Sequence, residues 1–289
     1  MTESLEQIPQ IARKTEIERI EIKLLLEAIY QLYGYDFRNY AYSSIKRRIW
    51  HRAQIENVKT ISEFQSKVLY QPNLMKKLLG DFSINVTEMF RDPSFFEAFR
   101  AEVVPILRKL PFIRIWHAGC SSGEEVYSMA IVLHEEGIYG KTKIYATDMD
   151  EEIIERAKEG KLSLERMQLY TRNYQKAGGK KEFSEYYSVN DNEVELHPFL
   201  KSNIIFAHHN LVTDHSFNEF QMIVCRNVLI YFNKSLTNRV YDLFYDSLSD
   251  GGFLGIGSKE SIQVYQLSNN FEEFNLKEKI YIKGNKVRN

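Results

Sequence analysis

The sequence predicts an α/β protein: a small N-terminal helical domain followed by a Rossmann-like domain. Three observations carry that reading. Between Ile113 and Asp148 the chain spells strand, glycine turn, helix, strand, acid (IRIWHAGCSSGEEVYSMAIVL, then KIYATDMD), the order of a nucleotide-binding βαβ unit. Ahead of it, apolar residues recur at helical spacing. Beyond it, strand-length apolar runs alternate with helical ones, as in a mostly parallel sheet covered by helices on both faces.

Taken in order, Ile17, Ile20, Leu24 and the Ala28/Ile29 pair define a first helix that stops near Gly34. Ser43 or Ser44 is expected to cap a second, strongly basic helix, SSIKRRIWHRAQIEN. Thr60 with Glu63 forms a capping box for a third, TISEFQSKVLY. Gln71-Pro72-Asn73 breaks it and opens a fourth element through Leu74, Leu78 and Leu79. The expected division is a helical domain over residues 1–70, a linker over 71–84 and an α/β domain over 85–289.

In the second domain Ile113, Ile115 and Trp116 form a strand that ends at Gly119, and Cys120-Ser121-Ser122-Gly123 turns the chain. Val126, Met129, Ala130 and Leu133 mark one side of a helix that stops at Gly137, and the strand Ile144–Thr147 ends on Asp148. A helix ending at Gly160 and a polar region over 161–202 follow. Alternation from Tyr186 to Leu196 around Asn190-Asp191-Asn192 predicts a hairpin, in a small excursion from the main sheet. Strands at Ile204–Ala207 and Met222–Cys225, a helix from Ser235 to Leu248, and strands at Phe253–Ile256 and Lys279–Ile282 complete the pattern, the last pair antiparallel.

A chain of 289 residues with 44% hydrophobic and 27% charged residues has the composition of a soluble globular protein. A formal net charge of −1 gives no global attraction to nucleic acid or anionic membrane. No stretch approaches the roughly 18 uncharged apolar residues of a membrane span, and MTESLEQIPQ lacks a signal-peptide core. Two cysteines without metal-like spacing imply a reducing, cytoplasmic setting and no disulfide framework. His117, Cys120, His208, His209 and Cys225 have zinc-ligand identities, but no pair has the short spacing of a structural site, so no metal is expected.

The βαβ unit poses the question of which nucleotide. A pyrophosphate seeks the positive end of a helix. Here that end carries Glu124 and Glu125, which would repel pyrophosphate and suit the cationic amine and sulfonium of S-adenosylmethionine. Acidic residues are also common in any first helical turn, so these two alone leave the matter open. In open α/β sheets ligands bind beyond the carboxyl ends of the strands. Those ends carry Gly119, Glu125, Asp148, His209-Asn210-Leu211 and Arg226-Asn227. Asp148 can accept from ribose hydroxyls, and the two asparagines offer donors and acceptors, although an asparagine there also serves plain turns. In CRNVLIYF (225–232) an Arg can hold a carboxylate bidentately and Tyr231 can orient it, or Tyr231 simply packs, as one of 18 tyrosines. In NVTEMFRDPSFF (85–96), Asn85, Thr87 and Arg91 are polar in an apolar segment that could equally begin a helix.

The ordered series NVTEMFR, WHAGCSSGEEVYS, ATDMD, HNL and CRNVLIYF behind a basic helical domain resembles the CheR-type chemoreceptor glutamate methyltransferases over nearly the whole chain. The resemblance implies a class I S-adenosylmethionine-dependent methyltransferase domain with a small antiparallel β-subdomain inserted at about residues 172–202. Carried over by motif, Asn85, Thr87, Arg91, Gly119, Glu125, Asp148, Asn210, Leu211, Arg226 and Asn227 would line the cofactor site. Arg91 and Tyr231 would face the reacting methyl group, and Arg47, Arg48 and Arg52 would meet an acidic helix of a methyl-accepting receptor. The implied reaction yields glutamate methyl esters and S-adenosylhomocysteine. Val126 stands where family members often have proline, which should alter helix entry little. The short loop near Asn190 lacks a glycine-rich insert, so recognition without a receptor tether is expected; a monomer is expected as well. The basic run Lys46, Arg47, Arg48, His51, Arg52 reads otherwise as a solvated face, or as a surface for RNA. That keeps methylation of RNA or of another signalling protein as an alternative, beside a module that binds the cofactor without turnover.

Overall fold

The computed structural model describes residues 10–83, 87–190, 193–262 and 270–284. The chain divides into two compact units, residues 1–84 with 231–233, and residues 85–230 with 234–289.

The first unit is helical: α1 (Gln10–Tyr33), α2 (Tyr42–Ile55), α3 (Ile61–Tyr70) and α4 (Pro72–Phe82). In α1 the buried stripe is Ile22, Leu25, Leu26 and Ile29, whereas Ile17, Ile20 and Leu24 are 49%, 51% and 54% exposed. ERIEIKLLLEAI carries apolar residues on two faces, and the sequence pattern mixes them: its Ile29 is buried, its Ile17, Ile20 and Leu24 are not. Helix α2 starts at Tyr42 with Ala41 as an N-cap lacking a side-chain bond, so neither Ser43 nor Ser44 caps it. At α3 the Thr60 hydroxyl accepts from Glu63 N at 3.1 Å, while the Glu63 carboxylate takes the N–H of Lys59 at 3.0 Å; the second half of the box is shifted by one residue. The stretch read as a linker is α4, with proline in its first turn. Its Leu74, Met75, Leu78, Leu79 and Phe82 are buried.

The second unit begins with α5 (Pro93–Ala98), which runs through a π turn into α6 (Val104–Leu107). Then come β1 (Ile113–Ala118), α7 (Glu124–Glu135), β2 (Thr142–Asp148) and α8 (Glu151–Glu159). The polar region holds β3 (Lys161–Ser163), α9 (Met167–Lys176), β4 (Tyr187–Asn190) and β5 (Glu193–Leu196). It is followed by β6 (Ile204–His208), β7 (Phe220–Cys225), α10 (Lys234–Ser247), β8 (Leu248–Ile256), β9 (Phe271–Asn275) and β10 (Ile280–Lys283).

Among the described residues the main sheet has the order β6-β2-β1-β7-β8-β10-β9. Its first five strands are parallel; β10 is antiparallel to both β8 and β9. Strand β9 was not anticipated: FEEFN lacks the β-branched residues that marked the others. A second, antiparallel sheet has the order β3-β5-β4. The excursion therefore starts at Lys161, earlier than the residue 172 expected, because β3 pairs with β5 across the length of α9. Asp191 and Asn192 of the predicted turn lie outside the described residues.

Helix α7 is buried from Val126 to Leu133, and Trp116 of β1 is fully enclosed, donating from Nε1 to Thr147 Oγ1 at 2.8 Å. At the end of α7 the Glu135 carboxylate fastens the excursion to the main fold. It accepts from Tyr186 OH at 2.8 Å and Lys180 N at 3.1 Å, and also from Tyr174 OH and Arg100 Nη2. Burial alone would raise the Glu135 pKa, but the two tyrosine hydroxyls and Arg100 outweigh it and hold the carboxyl below its ordinary value. A depressed folded-state pKa adds stability above the unfolded value that is lost as pH falls through the folded one. Glu135→Gln should therefore cost about 3 kcal/mol near neutrality, as for one partner removed from a buried pair. Thermal unfolding should show that deficit shrinking on acidification.

Candidate active site

The carboxyl ends of five parallel strands lie along one edge of the sheet, at the topological switch between β1 and β7 where ligands bind in such folds. Backbone bonds draw three of these ends together: Gly119 N and Cys120 N donate to Thr147 O at 2.8 and 2.9 Å, and His209 N donates to Asp148 O at 3.0 Å. The turn after β1 depends on its glycines. Gly119 has φ +78°, and a Cβ there would come within 2.5 Å of Val228 Cγ2. Gly123 has φ +91° and starts α7.

This turn aims an N–H at an acid: Ser121 N donates to Asp148 Oδ2 at 2.9 Å. Asp150 N donates to the other oxygen at 3.2 Å. Asp148 is 8% exposed, and burial raises its pKa while the N–H groups of Ser121, Asp150 and Met149 act against the rise. Among the described residues it forms no ion pair, so the carboxylate keeps acceptor capacity for neutral hydroxyls. A ribose diol suits that environment; a pyrophosphate facing Asp148 does not.

Arg226, leaving β7, is enclosed by three partners. Its guanidinium meets Glu125 Oε2 and Asp92 Oδ2, each at 2.6 Å, and Arg91 O at 3.2 Å, and its Cζ lies 4.3 Å from the Phe95 ring centroid. Glu125 faces His117 Nδ1 at 3.4 Å on its other oxygen. Burial would raise the Glu125 pKa, but Arg226 and His117 outweigh it and hold the carboxyl low. The acidic start of α7 thus divides. Glu125 is neutralised internally, whereas Glu124 accepts from Ser122 Oγ at 2.6 Å and has its pKa raised by burial. Asp92 has a left-handed φ of 53° and makes no cap bond to α5; its carboxylate goes to Arg226.

The segment 87–92 is threaded rather than helical. Phe90 N donates to Ser128 Oγ at 2.8 Å, Asn173 Nδ2 to Met89 O at 3.1 Å, and Arg166 Nη1 to Thr87 O at 2.7 Å. Met89 and Phe90 are fully buried, which fixes Arg91 between the core and Asp92. Asn85 lies outside the described residues. Asn210 makes an Asx turn: its Oδ1 accepts from Val212 N and its N–H meets Asp214 Oδ2, both at 2.9 Å. Its side-chain oxygen thus serves the turn, the plainer of the two roles expected of an asparagine at a strand end. Leu211 is buried in the same turn. Asn227 has φ +63°, and its N–H meets Glu260.

The structure thus brings Gly119, Glu125, Asp148, Asn210, Leu211, Arg226 and Asn227 to one rim. Sequence reasoning missed Asp92, His117 and Glu260. An acid directly before Pro93 was a signal for the first, and the eight-residue spacing of His117 from Glu125 across the glycine turn was one for the second; Glu260 reaches Asn227 across 33 residues and leaves no local pattern.

Tyr231 groups with the helical unit, where its carbonyl accepts from Ala41 N at 2.8 Å and its ring lies 4.4 Å from the Arg48 guanidinium. Arg48 is buried, donates to Phe82 O, and has its pKa lowered by that burial. The position of Arg48, three residues after Ile45 and next to Ile49, puts it on the inner stripe of α2. Arg52 is bidentate to Asp81 at 2.6 and 2.8 Å. Of the three arginines expected to meet a receptor, only Arg47 is exposed. Burial holds both cysteine thiols well above their ordinary pKa, which removes thiolate chemistry near neutrality. Among the described residues no group of three or more His, Cys, Asp or Glu could hold a metal ion, and no helix is long and apolar enough to cross a membrane.

A glycine turn that serves a buried strand-end acid, with an acidic helix start beyond it, is the architecture of a class I S-adenosylmethionine-dependent methyltransferase. Residues 85–280 match the SAM-binding domain of CheR methyltransferases and residues 20–83 match the all-alpha domain of the same enzymes. The chain belongs to the CheR methyltransferase family. It is 49% identical over 265 residues to Cher3 of Pseudomonas putida, covering 92% of this chain and 97% of that one. It is 31% identical over 231 residues to the chemotaxis protein methyltransferase of Listeria innocua (79% and 85% covered). With the chemotaxis protein methyltransferase of Borreliella burgdorferi the identity is 28% over 263 residues (86% and 90% covered).

Proposed function

We propose that this protein methylates glutamate side chains on the acidic helical cytoplasmic region of chemoreceptors, using S-adenosylmethionine and releasing S-adenosylhomocysteine. The observation that carries the reading is Asp148, a buried strand-end carboxylate held by backbone N–H groups and left with acceptor capacity to spare. The names of the Listeria and Borreliella relatives support a chemotaxis substrate.

S-adenosylmethionine supplies an electrophilic methyl group on a sulfonium. The chain's own residues bind and align. Asp148 accepts from the ribose hydroxyls, while Gly119, Leu211 and Asn227 shape the rim around the nucleoside. Thr87 and Asn85 precede Arg91, which orients the substrate carboxylate. A glutamate is ionised at neutral pH, with a reference pKa of about 4.3, so no general base is needed. Alignment of two reactants is then the main catalytic resource, on the order of 7–11 kcal/mol. Too tight a grip by Arg91 would stabilise the ground state, so orientation matters more than affinity.

Arg47 is the exposed cation of α2 in this scheme, and Arg52 assists from its ion pair with Asp81. Only Asp191 and Asn192 separate β4 from β5, which supports recognition without a receptor tether; a monomer acting without nucleic acid completes the proposal. Arg47→Glu should raise the KM for receptor about tenfold and leave S-adenosylhomocysteine affinity unchanged, and added salt should do the same to the wild type. The function itself is tested by incubating the protein with methyl-labelled cofactor, receptor-bearing membranes and RNA. Base-labile label on receptor glutamates is expected; label on RNA would move the protein to a different substrate class.

A further inference from the structure

We propose that Glu260 is a positioning residue for cofactor binding, fixing the backbone turn from which Asn227 meets the nucleoside. This rests on the assignment of Asn227 to the cofactor rim above. Glu260 follows β8, is 6% exposed, and forms no ion pair among the described residues. Its carboxylate instead collects four backbone N–H groups. Oε2 accepts from Gly257 at 2.5 Å and Asn227 at 3.2 Å; Oε1 accepts from Leu229 at 2.8 Å and Ile230 at 3.3 Å. Three of the four donors belong to the turn leaving β7, the neighbour of β8 in the sheet. The exit of one strand is thus capped by an acid from beyond the next.

The turn needs such a cap. Asn227 adopts a left-handed φ of 63°, which asparagine tolerates better than most L-residues but less readily than glycine. An anion facing successive N–H groups offsets that preference. Gly257 completes the fit from the other side, since a Cβ there would lie 2.8 Å from Asn227 N and 3.0 Å from Asn227 Nδ2. Glutamine cannot replace the acid, because its amide hydrogens would face two N–H donors.

Calorimetric titration of the full chain with S-adenosylhomocysteine tests the proposal. Glu260→Gln should bind with full stoichiometry and a Kd about tenfold weaker, the scale of one lost charge-assisted hydrogen bond. The KM for receptor should not change. A merely structural loss would lower the fraction of binding-competent protein and leave Kd alone. Gly257→Ala keeps the acid but crowds both Asn227 N and Glu260 Oε2, each 2.8 Å from the added Cβ, and should weaken Kd similarly even if Glu260→Gln fails to fold. Wild-type Kd in both variants, with Asn227→Ala weakened, overturns the role of Glu260. Wild-type Kd in Asn227→Ala overturns the placement of Asn227, and this proposal with it.

Discussion

Asp148→Ala should weaken S-adenosylhomocysteine binding at least about a hundredfold, because two hydrogen bonds to a charged acceptor are lost, each about 1.5–3 kcal/mol. Asp148→Asn should lose less, since its amide oxygen still accepts one bond. The alanine variant also releases Ser121 N and Asp150 N, so part of the effect comes from the glycine turn relaxing. The pH dependence follows from the same residue. Burial raises the Asp148 pKa, and the ionised form grips the ribose, so protonation competes with the ligand. Affinity should fall on acidification, starting at a higher pH than for an exposed aspartate. Calorimetry across the acidic range checks both statements; an affinity independent of residue 148 would remove the basis for the site.

The second large effect is on stability. Arg226→Met leaves the Glu125 and Asp92 carboxylates without their cation, and Glu125 is the more deeply enclosed of the two. Removing one member of a buried ionic group costs about 3–5 kcal/mol. Asp92 is more than a third exposed, which argues for the lower end. A drop in Tm of roughly 10 °C is expected at this chain length. Adding Glu125→Gln should recover part of that loss, because it removes the stranded charge, without restoring cofactor binding. An unchanged Tm for the single variant would mean that solvent screens the network.

Much of the second unit was legible because its parallel strands are short apolar runs ending in glycine or polar residues. Ile113–Ala118, Thr142–Asp148, Ile204–His208 and Phe220–Cys225 each declare themselves this way. The strand-end residues follow from a rule about open sheets, so Asp148 and Arg226 are legible in the sequence as strand-end groups. What failed was the choice between faces and between partners. In α1 two apolar stripes compete, and only packing decides that Ile22 goes inside and Leu24 outside. Arg48 was read as part of a charge run, although its spacing from Ile45 places it on the inner stripe. Arg226 meets Asp92 across 134 residues and Glu125 across 101, and Glu260 reaches Asn227 across 33. No local pattern encodes such distances.

The account stands or falls on what occupies the rim of the parallel strands. Crystals grown or soaked with S-adenosylhomocysteine should show its ribose hydroxyls on the Asp148 carboxylate and its nucleoside along the rim formed by the ends of β1, β2, β6 and β7. Density for the ligand elsewhere, or an Asp148 carboxylate facing only solvent in a ligand-saturated crystal, would contradict the assignment.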